Sequence, residues 1–222
     1  MPDAPTTKEL LLDVAERLFA EHGIARSSLR AITQAADANL ASVHYHFGSK
    51  ASLVRAVFAR RIGPLNQERL ERLDALEGNG SPTARQIIEA FFAPVARMMA
   101  DPGENPEAIA RLVGRVFSEP GDEVRKILVA EFQPVVDRFV AAFTMALPEI
   151  PSEEIFWRFH FMVGSMIHTV AAGSLAEHLH GGDGGTEALF QRLVTFAEAG
   201  MANPVVEESP MTIAARETGD SK

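Results

Sequence analysis

The sequence contains no cysteine, no leader-like start and no long apolar run. Without cysteine there is no disulfide framework, no Cys-based zinc site and no thiol nucleophile. The opening residues MPDAPTTKELLLDV lack a basic segment followed by an apolar core, so we expect no secretory signal. Even the apolar stretch 156–172 is interrupted by Arg158, His160 and His168, so we expect no membrane span. These absences predict a soluble cytoplasmic protein.

The chain also has little positive charge overall, with a net charge of −9 over 222 residues. This balance argues against a general nucleic-acid coat protein. The charge is unevenly distributed, however. Residues 22–62 contain six basic residues and one acidic residue, a net of +5, so the remainder carries −14. A locally basic segment on an acidic body suits site-specific DNA binding, and the alternative is an ordinary solvated charge run.

Alternating strand patterns are absent, and apolar residues recur at three- and four-residue spacings through most of the chain. We therefore predict an all-α fold, in which an N-terminal three-helix domain is joined by a long helix to a C-terminal ligand-binding and dimerisation bundle. The expected domains are 5–65 and 66–203, and 204–222 is an expected disordered tail. Pro64 predicts a kink or break in the joining helix. Beyond it, the breakers predict helices over roughly 82–100, 106–118, 121–147, 152–179 and 185–201.

The most informative segment is 31–50, AITQAADANLASVHYHFGSK. It predicts a short helix, a polar turn at 37–39 and a second short helix over 40–47. Leu40, Val43 and Phe47 are spaced to anchor the second helix on its neighbours. Its other positions carry small and hydrogen-bonding residues, as an element that enters a groove requires. The segment therefore predicts a DNA-binding helix-turn-helix.

Residues 7 to about 62 resemble the DNA-binding domain of TetR-type transcriptional regulators. The resemblance is carried by AERLFAEHG at 15–23, SLRAI at 28–32, the Ala35-Ala36 pair and SVHYHFGSK at 42–50. It implies a homodimer that places two recognition helices in successive major grooves of a palindromic operator. More loosely, stretches in both halves of the chain resemble the PsrA-like branch of this family. Some members of that branch respond to fatty acids.

Two positions depart from the family pattern. Asp37 replaces the usual turn glycine, and Asp tolerates turn geometry better than most residues do. His44 stands where relatives often have Tyr or Asn, so we expect an operator preference particular to this chain.

We expect the recognition helix to read DNA mainly through Ser42, His44 and Tyr45, whose side chains can bond to bases or phosphates. The resemblance implies that Tyr45, His46 and Lys50 are phosphate clamps. Arg30 is expected to contact the backbone from the preceding helix. The alternative for Tyr45 and His46 is packing within the domain. The full set of expected DNA contacts is Ser28, Arg30, Asn39, Ala41, Ser42, His44, Tyr45, His46 and Lys50.

The C-terminal half is rich in Phe and Met at helical spacings, which suits an adaptable apolar pocket as well as an ordinary core. A few polar residues in this apolar context are candidates to hold a ligand head group, with structural roles as the alternative for each. The pocket candidates are Phe92, Met99, Arg115, Phe117, Phe132, Gln133, Trp157, His160, Phe161 and His168.

The sequence thus predicts a ligand-responsive transcriptional regulator, most simply a repressor released from DNA by a small apolar effector that is fatty-acid-like or aromatic. Small residues over 160–175 and the last helix suit a homodimer interface. No catalytic pair, phosphate loop or metal spacing is present, so we expect no enzyme activity, cofactor or metal. The alternatives are an activator with the same head and a helical lipid-binding protein without DNA function.

Overall fold

The computed structural model describes residues 5–101, 109, 111–112, 114, 122–180 and 185–204, and throughout these residues the ordered elements are α-helices. The head contains α1 (Thr7–His22), α2 (Leu29–Ala35) and α3 (Leu40–Phe47). The long helix α4 (Lys50–Gly78) leads into the body. The body helices are α5 (Ala84–Ala100), α6 (Asp122–Ala146), α7 (Ser152–His180) and α8 (Gly185–Ala202). The all-α prediction is confirmed, whereas the predicted helix 106–118 and the predicted tail fall largely outside the described residues.

Local sequence signals define the helix ends in the head. Thr6 caps α1, and Glu9 completes a reciprocal capping box with it. Gly23, at φ 88°, ends α1 in a conformation that favours glycine. Ser28 caps α2 and Ser49 caps α4 through their hydroxyl oxygens. Local capping residues and a glycine therefore set the helix ends of the head.

The two halves share α4, which packs on α1 and α3 in the head and on α5 and α6 in the body. Pro64 lies within this helix and does not end it, so of the predicted kink or break the break is absent. The missing N–H costs one backbone hydrogen bond, roughly 3 kcal/mol in a helix interior. Buried Ile62 and Leu65 on either side of Pro64 pack into the core and offset that loss.

The body core is built from aromatic rings. Phe91 meets Phe139 and Phe159 edge-on, with ring centroids 5.0 and 5.2 Å apart. Phe92 is buried and packs against Phe190, which joins α5 to α8. No helix in the described ranges is long and apolar enough to cross a bilayer.

Candidate nucleic-acid interface and internal cavity

The turn between α2 and α3 depends on Asp37, which has φ +46° and is the only non-glycine residue with positive φ in the described chain. The turn predicted at 37–39 is present, and Asp37 adopts a positive φ within it. The amide of Ala38 donates to the carbonyl of Thr33 at 2.9 Å and closes the turn. A side chain in this conformation is strained, although Asp is one of the residues that adopts it most readily.

Helix α3 is anchored from one side only. Val43 and Phe47 are buried against the head core. Leu40, predicted as a third anchor, is 39% exposed, because the helix begins there and its first turn extends beyond the core. Ala41, His44 and Tyr45 lie on the exposed face, and Tyr45 is 86% exposed. A short helix with one buried edge and an open polar face can enter a DNA groove.

Two predicted contact residues also shape the start of α3. Asn39 is its N-cap, and Asn39 Oδ1 accepts from the Ser42 amide at 2.8 Å and from the Ser42 hydroxyl at 3.0 Å. These bonds stabilise the first turn of the helix. Asn39 and Ser42 would therefore approach DNA as a joined pair.

His44 is directed toward the end of its own helix, with Nδ1 2.9 Å from the Gly48 carbonyl oxygen. A carbonyl only accepts, so this contact is a hydrogen bond when Nδ1 carries the proton. A neutral His44 then offers Nε2 as an acceptor only. Donation from Nε2 to a base or phosphate acceptor would require the protonated ring.

The basic residues of the head fall into two groups. Arg26, Arg30 and Arg55 are exposed and make no ion pair within the described part of the chain. Lys50, the first residue of α4, donates to the Ala25 carbonyl at 3.4 Å. Ser28 is exposed beside Arg30, and His46 is half-buried with its ring 5.0 Å from that of Tyr45.

Arg60 and Arg61 form the second group and are turned toward the acidic side chains of α1. Arg60 binds Asp13 at 2.7 Å and Glu16 at 2.6 Å, while Arg61 Nε lies 2.8 Å from both Glu16 oxygens. We call this cluster the α1–α4 clamp. It reduces the positive charge offered to DNA below the +5 counted along the sequence, because α1 supplies acids that the count did not include.

A cavity of about 420 Å³ lies between the body helices, within the size range of small-molecule sites. It is partly open to solvent, since Val129 and Phe156 on its wall are 52% and 46% exposed. Helix α4 contributes Ile62, Leu65 and Arg69 to its wall. Its remaining lining is mostly apolar and comes from the other body helices: Phe91, Val95, Met98, Ile109, Val129, Phe132, Val135, Val136, Phe156, Phe159, Val163, Met166, Ile167 and Val170, with Gln133 and His160 as polar members.

Three of the sequence candidates, Phe132, Gln133 and His160, lie on the cavity wall. Phe92 and Met99 pack into the core instead. Trp157, Phe161 and His168 are exposed on the outer face of α7 and do not line the cavity. Arg115 and Phe117 lie outside the described residues.

The polar residue that the sequence interpretation missed is Arg69. It is 4% exposed and lines the cavity. The sequence does contain a sign of this. Positions 62, 65, 69, 73 and 76 have the three- and four-residue spacing of a buried helix face, and a charged residue on such a face is unusual.

A three-helix head with an exposed, capped second helix after a tight turn, joined to a helical body containing an apolar cavity, defines a helix-turn-helix DNA-binding protein. Residues 11–57 match the profile "Bacterial regulatory proteins, tetR family", and residues 89–200 match "Tetracyclin repressor-like, C-terminal domain". The chain belongs to the TetR family of transcriptional regulators. Its family and relatives are regulators rather than enzymes.

Individual relatives match only part of the chain in sequence. The regulator AcrR of Shigella flexneri is 28% identical over 39% of this chain and 40% of that protein. TtgR of Pseudomonas putida is 34% identical over 25% of this chain and 26% of that protein. The chain thus spans well under half the length of these curated relatives.

Solved structures match over nearly the whole length and support the fold. The fatty acid degradation regulator FadR from Bacillus halodurans superposes with a TM-score of 0.65 at 12% identity, covering 89% of this chain and 97% of that chain. A SmeT–triclosan complex superposes with a TM-score of 0.61 at 19% identity, covering 92% and 98%. The PsrA-like branch remains a prediction.

Proposed function

We propose that this protein is a homodimeric repressor whose hold on a palindromic operator is released when a small, largely apolar effector occupies the body cavity. The observation that carries the proposal is the course of α4. Its first half packs into the head through Leu53 and Val54, and its second half supplies Leu65 and Arg69 to the cavity wall. A ligand that displaces the cavity wall therefore acts on the same helix that supports α3.

The α1–α4 clamp makes this connection stiff. Arg61 binds Glu16 of the head, and the next residue, Ile62, lines the cavity. A shift of α4 would thus carry α1 with it. In a dimer, such a shift changes the separation of the two α3 helices, which must match half-sites about one DNA turn apart.

The proposed dimer face is a seam on the outer side of α7. Trp157, Phe161, Gly164, His168 and Ala171 recur at alternating spacings of four and three residues, and all five are exposed. Two of them are large aromatics, with Trp157 48% and Phe161 64% exposed. Apolar residues at this spacing suit packing against a second helix.

The neighbouring helix α8 extends the same apolar character. Phe196 is 68% exposed there, although Leu193 on the same helix is buried. Pairing α7 and α8 of two copies would bury these rings in a four-helix interface. The assignment of Trp157, Phe161 and His168 to the pocket is accordingly replaced by an interface role.

DNA binding can be tested by fluorescence anisotropy with duplexes tiled across the DNA upstream of the gene. We expect binding to one duplex well above binding to a scrambled one at moderate salt. Arg30→Ala should weaken binding to both and reduce the salt dependence by about one phosphate contact. His44→Ala should instead change preference among operator variants. Arg72→Ala, an exposed arginine on the body half of α4, is the matched control and should bind normally.

Effector response can be tested on the same complex with fatty acids, their CoA thioesters and aromatic drugs. Thermal stabilisation of the protein and release of the duplex by the same compound would support the proposal. Transcription assays on the bound promoter separate a repressor from an activator. Failure to bind any upstream duplex selectively would contradict the operator-binding proposal.

A further inference from the structure

Arg69 is a buried charge whose hydrogen-bond partners among the described residues are all neutral. Its Nε donates to the Phe91 carbonyl at 2.9 Å, Nη1 donates to Asn66 Oδ1 at 2.8 Å, and Nη2 contacts Met166 Sδ at 3.7 Å. The guanidinium carbon also lies 4.1 Å from the centre of the Phe91 ring. Buried arginines usually pair with a carboxylate, because an unpaired charge is costly away from water.

The acidic residue next to Arg69 in sequence is engaged elsewhere. Glu68 Oε2 accepts from Arg97 at 2.6 Å, and Oε1 accepts from Arg72 at 3.0 Å. These hydrogen bonds, that of Arg97 foremost, hold the pKa of Glu68 below its usual range. Within the described ranges, no carboxylate lies within ion-pair distance of Arg69, so its positive charge is not neutralised by a salt bridge.

Burial lowers the pKa of Arg69 to about 10, which still leaves the side chain charged at neutral pH. A guanidinium has five N–H donors, and the three hydrogen bonds above use one donor on each nitrogen. Within the described residues, one donor on Nη1 and one on Nη2 are therefore left to bind a ligand. Donors on the two terminal nitrogens suit the two oxygens of a carboxylate.

The rest of the cavity constrains the remainder of the ligand. The other polar lining residues, Gln133 and His160, are exposed, and Gln133 Nε2 already donates to Asp137 at 2.6 Å. The buried part of the wall around Arg69 is aliphatic and aromatic, from Val95, Phe159 and similar residues. A ligand reaching Arg69 must therefore combine one anionic end with an apolar body.

We propose that the effector is an apolar carboxylic acid whose carboxylate binds Arg69 inside the cavity. This inference rests on the proposed ligand response and specifies the chemical class of the ligand. It distinguishes a free acid from neutral molecules of the same shape, such as its amide, ester or alcohol. The carboxylate supplies the negative charge that the described wall lacks.

Binding at this position also has a route to DNA release. Arg69 belongs to α4, while its present partners Phe91 and Met166 belong to α5 and α7. A carboxylate that draws the guanidinium toward itself competes with these contacts. The ligand would then change how α4 sits against two body helices, at a point two turns after Ile62.

The test compares each acid with its own amide on the full-length wild-type protein. The panel runs from hexanoate to hexadecanoate and includes naphthoate and biphenylcarboxylate, with binding measured by isothermal titration calorimetry. We expect at least one acid to bind roughly 10- to 100-fold more tightly than its amide, as hydrogen bonds to a buried charge imply. That acid, and not its amide, should release the protein from its DNA.

Arg69→Met then removes the charge while keeping a long apolar side chain, and Arg69→Lys keeps the charge without the paired donors. We expect the acid–amide difference to fall to within about threefold in Arg69→Met and to an intermediate value in Arg69→Lys. Arg72→Met, an exposed change one turn away, should retain the full difference. Circular dichroism checks that each variant is folded. If Arg69→Met does not fold, the comparison of acid with amide on the wild-type protein tests the proposal.

The possible failures are distinguishable. Equal binding of acids and amides by the wild type would overturn the Arg69 proposal and leave the ligand response intact. An acid preference that persists in folded Arg69→Met would overturn it too, and would show that Arg69 serves only to join α4, α5 and α7. Binding of neither form across the panel, with no effect on the DNA complex, would count against both the ligand response and the acid class.

Discussion

The α1–α4 clamp gives the sharpest test of how the head is held, through the substitution Glu16→Gln. Glu16 is 13% exposed and accepts from Arg60 at 2.6 Å and from Arg61 at 2.8 Å. The amide keeps the shape but removes the charge between two arginines that are only 28% and 33% exposed. Hydrogen bonds between charged groups contribute about 1.5–3 kcal/mol each when shielded. Partial exposure of both arginines reduces the expected total loss to about 2 kcal/mol.

A loss of this size should lower the melting temperature by roughly 4–8 °C for a chain of this length. The measurement is thermal unfolding by circular dichroism at a fixed protein concentration, since association raises apparent stability. Asp13→Asn is the matched control. Asp13 binds Arg60 but is 60% exposed, so its loss should stay within about 1 kcal/mol. Equal effects of the two substitutions would refute the view that the clamp is a shielded electrostatic contact.

Three further predictions concern the turn, the dimer seam and the α3 anchor. Asp37→Gly should raise stability by roughly 0.5–1 kcal/mol in denaturant titrations, because it relieves a side chain at positive φ, and Asp37→Ala should lower it. A destabilising glycine would contradict the strain. Phe161→Glu should dissociate the dimer in light-scattering measurements, whereas Met145→Glu, at a more exposed site on α6, should not. Two dimers or two monomers would remove the seam as the interface. Val43→Ala should cost about 1–2 kcal/mol of unfolding free energy and Leu40→Ala less than half of that, since Val43 is fully buried and Leu40 is 39% exposed.

The sequence was a reliable guide to the head, because its signals are local. Thr6, Ser28 and Ser49 are residue types that favour helix caps, and each caps a helix through bonds to residues within one turn. Asp37 was readable as a turn residue for the same reason. The bounds of α3 were therefore predictable to within a residue at either end, and the DNA contacts assigned to it remain predictions.

The body was less predictable because its interior depends on contacts between distant helices. Phe92 and Phe132 have the same side chain on amphipathic helices, yet Phe92 packs against Phe190 while Phe132 lines the cavity. Helical spacing indicates which face of a helix is buried but not whether that face meets a helix or a cavity. The same limit applies to Trp157 and Phe161, whose helical spacing does not indicate that they face outward.

At Pro64, by contrast, a local sequence signal was a poor guide to the structure. A local rule predicted a kink or a break, and the helix continues through Pro64. Ile62 and Leu65 are both buried, so continuing the helix contributes more than the lost backbone bond removes. The net charge counted over residues 22–62 was misleading for a similar reason. Glu16 lies outside that segment in sequence but beside Arg60 in the structure.

The close succession of Arg61 and Ile62 has a consequence for genetics. One residue binds the head and the next lines the cavity, so this short stretch belongs to both functional halves at once. Random mutagenesis followed by selection with a reporter should recover opposite phenotypes from adjacent codons here. Under the proposed function, some alleles would be permanently derepressed and others would no longer respond to inducer. Evolution of a new ligand specificity would then meet the same constraint, since a change at this point would alter both the cavity wall and the segment that contacts the head.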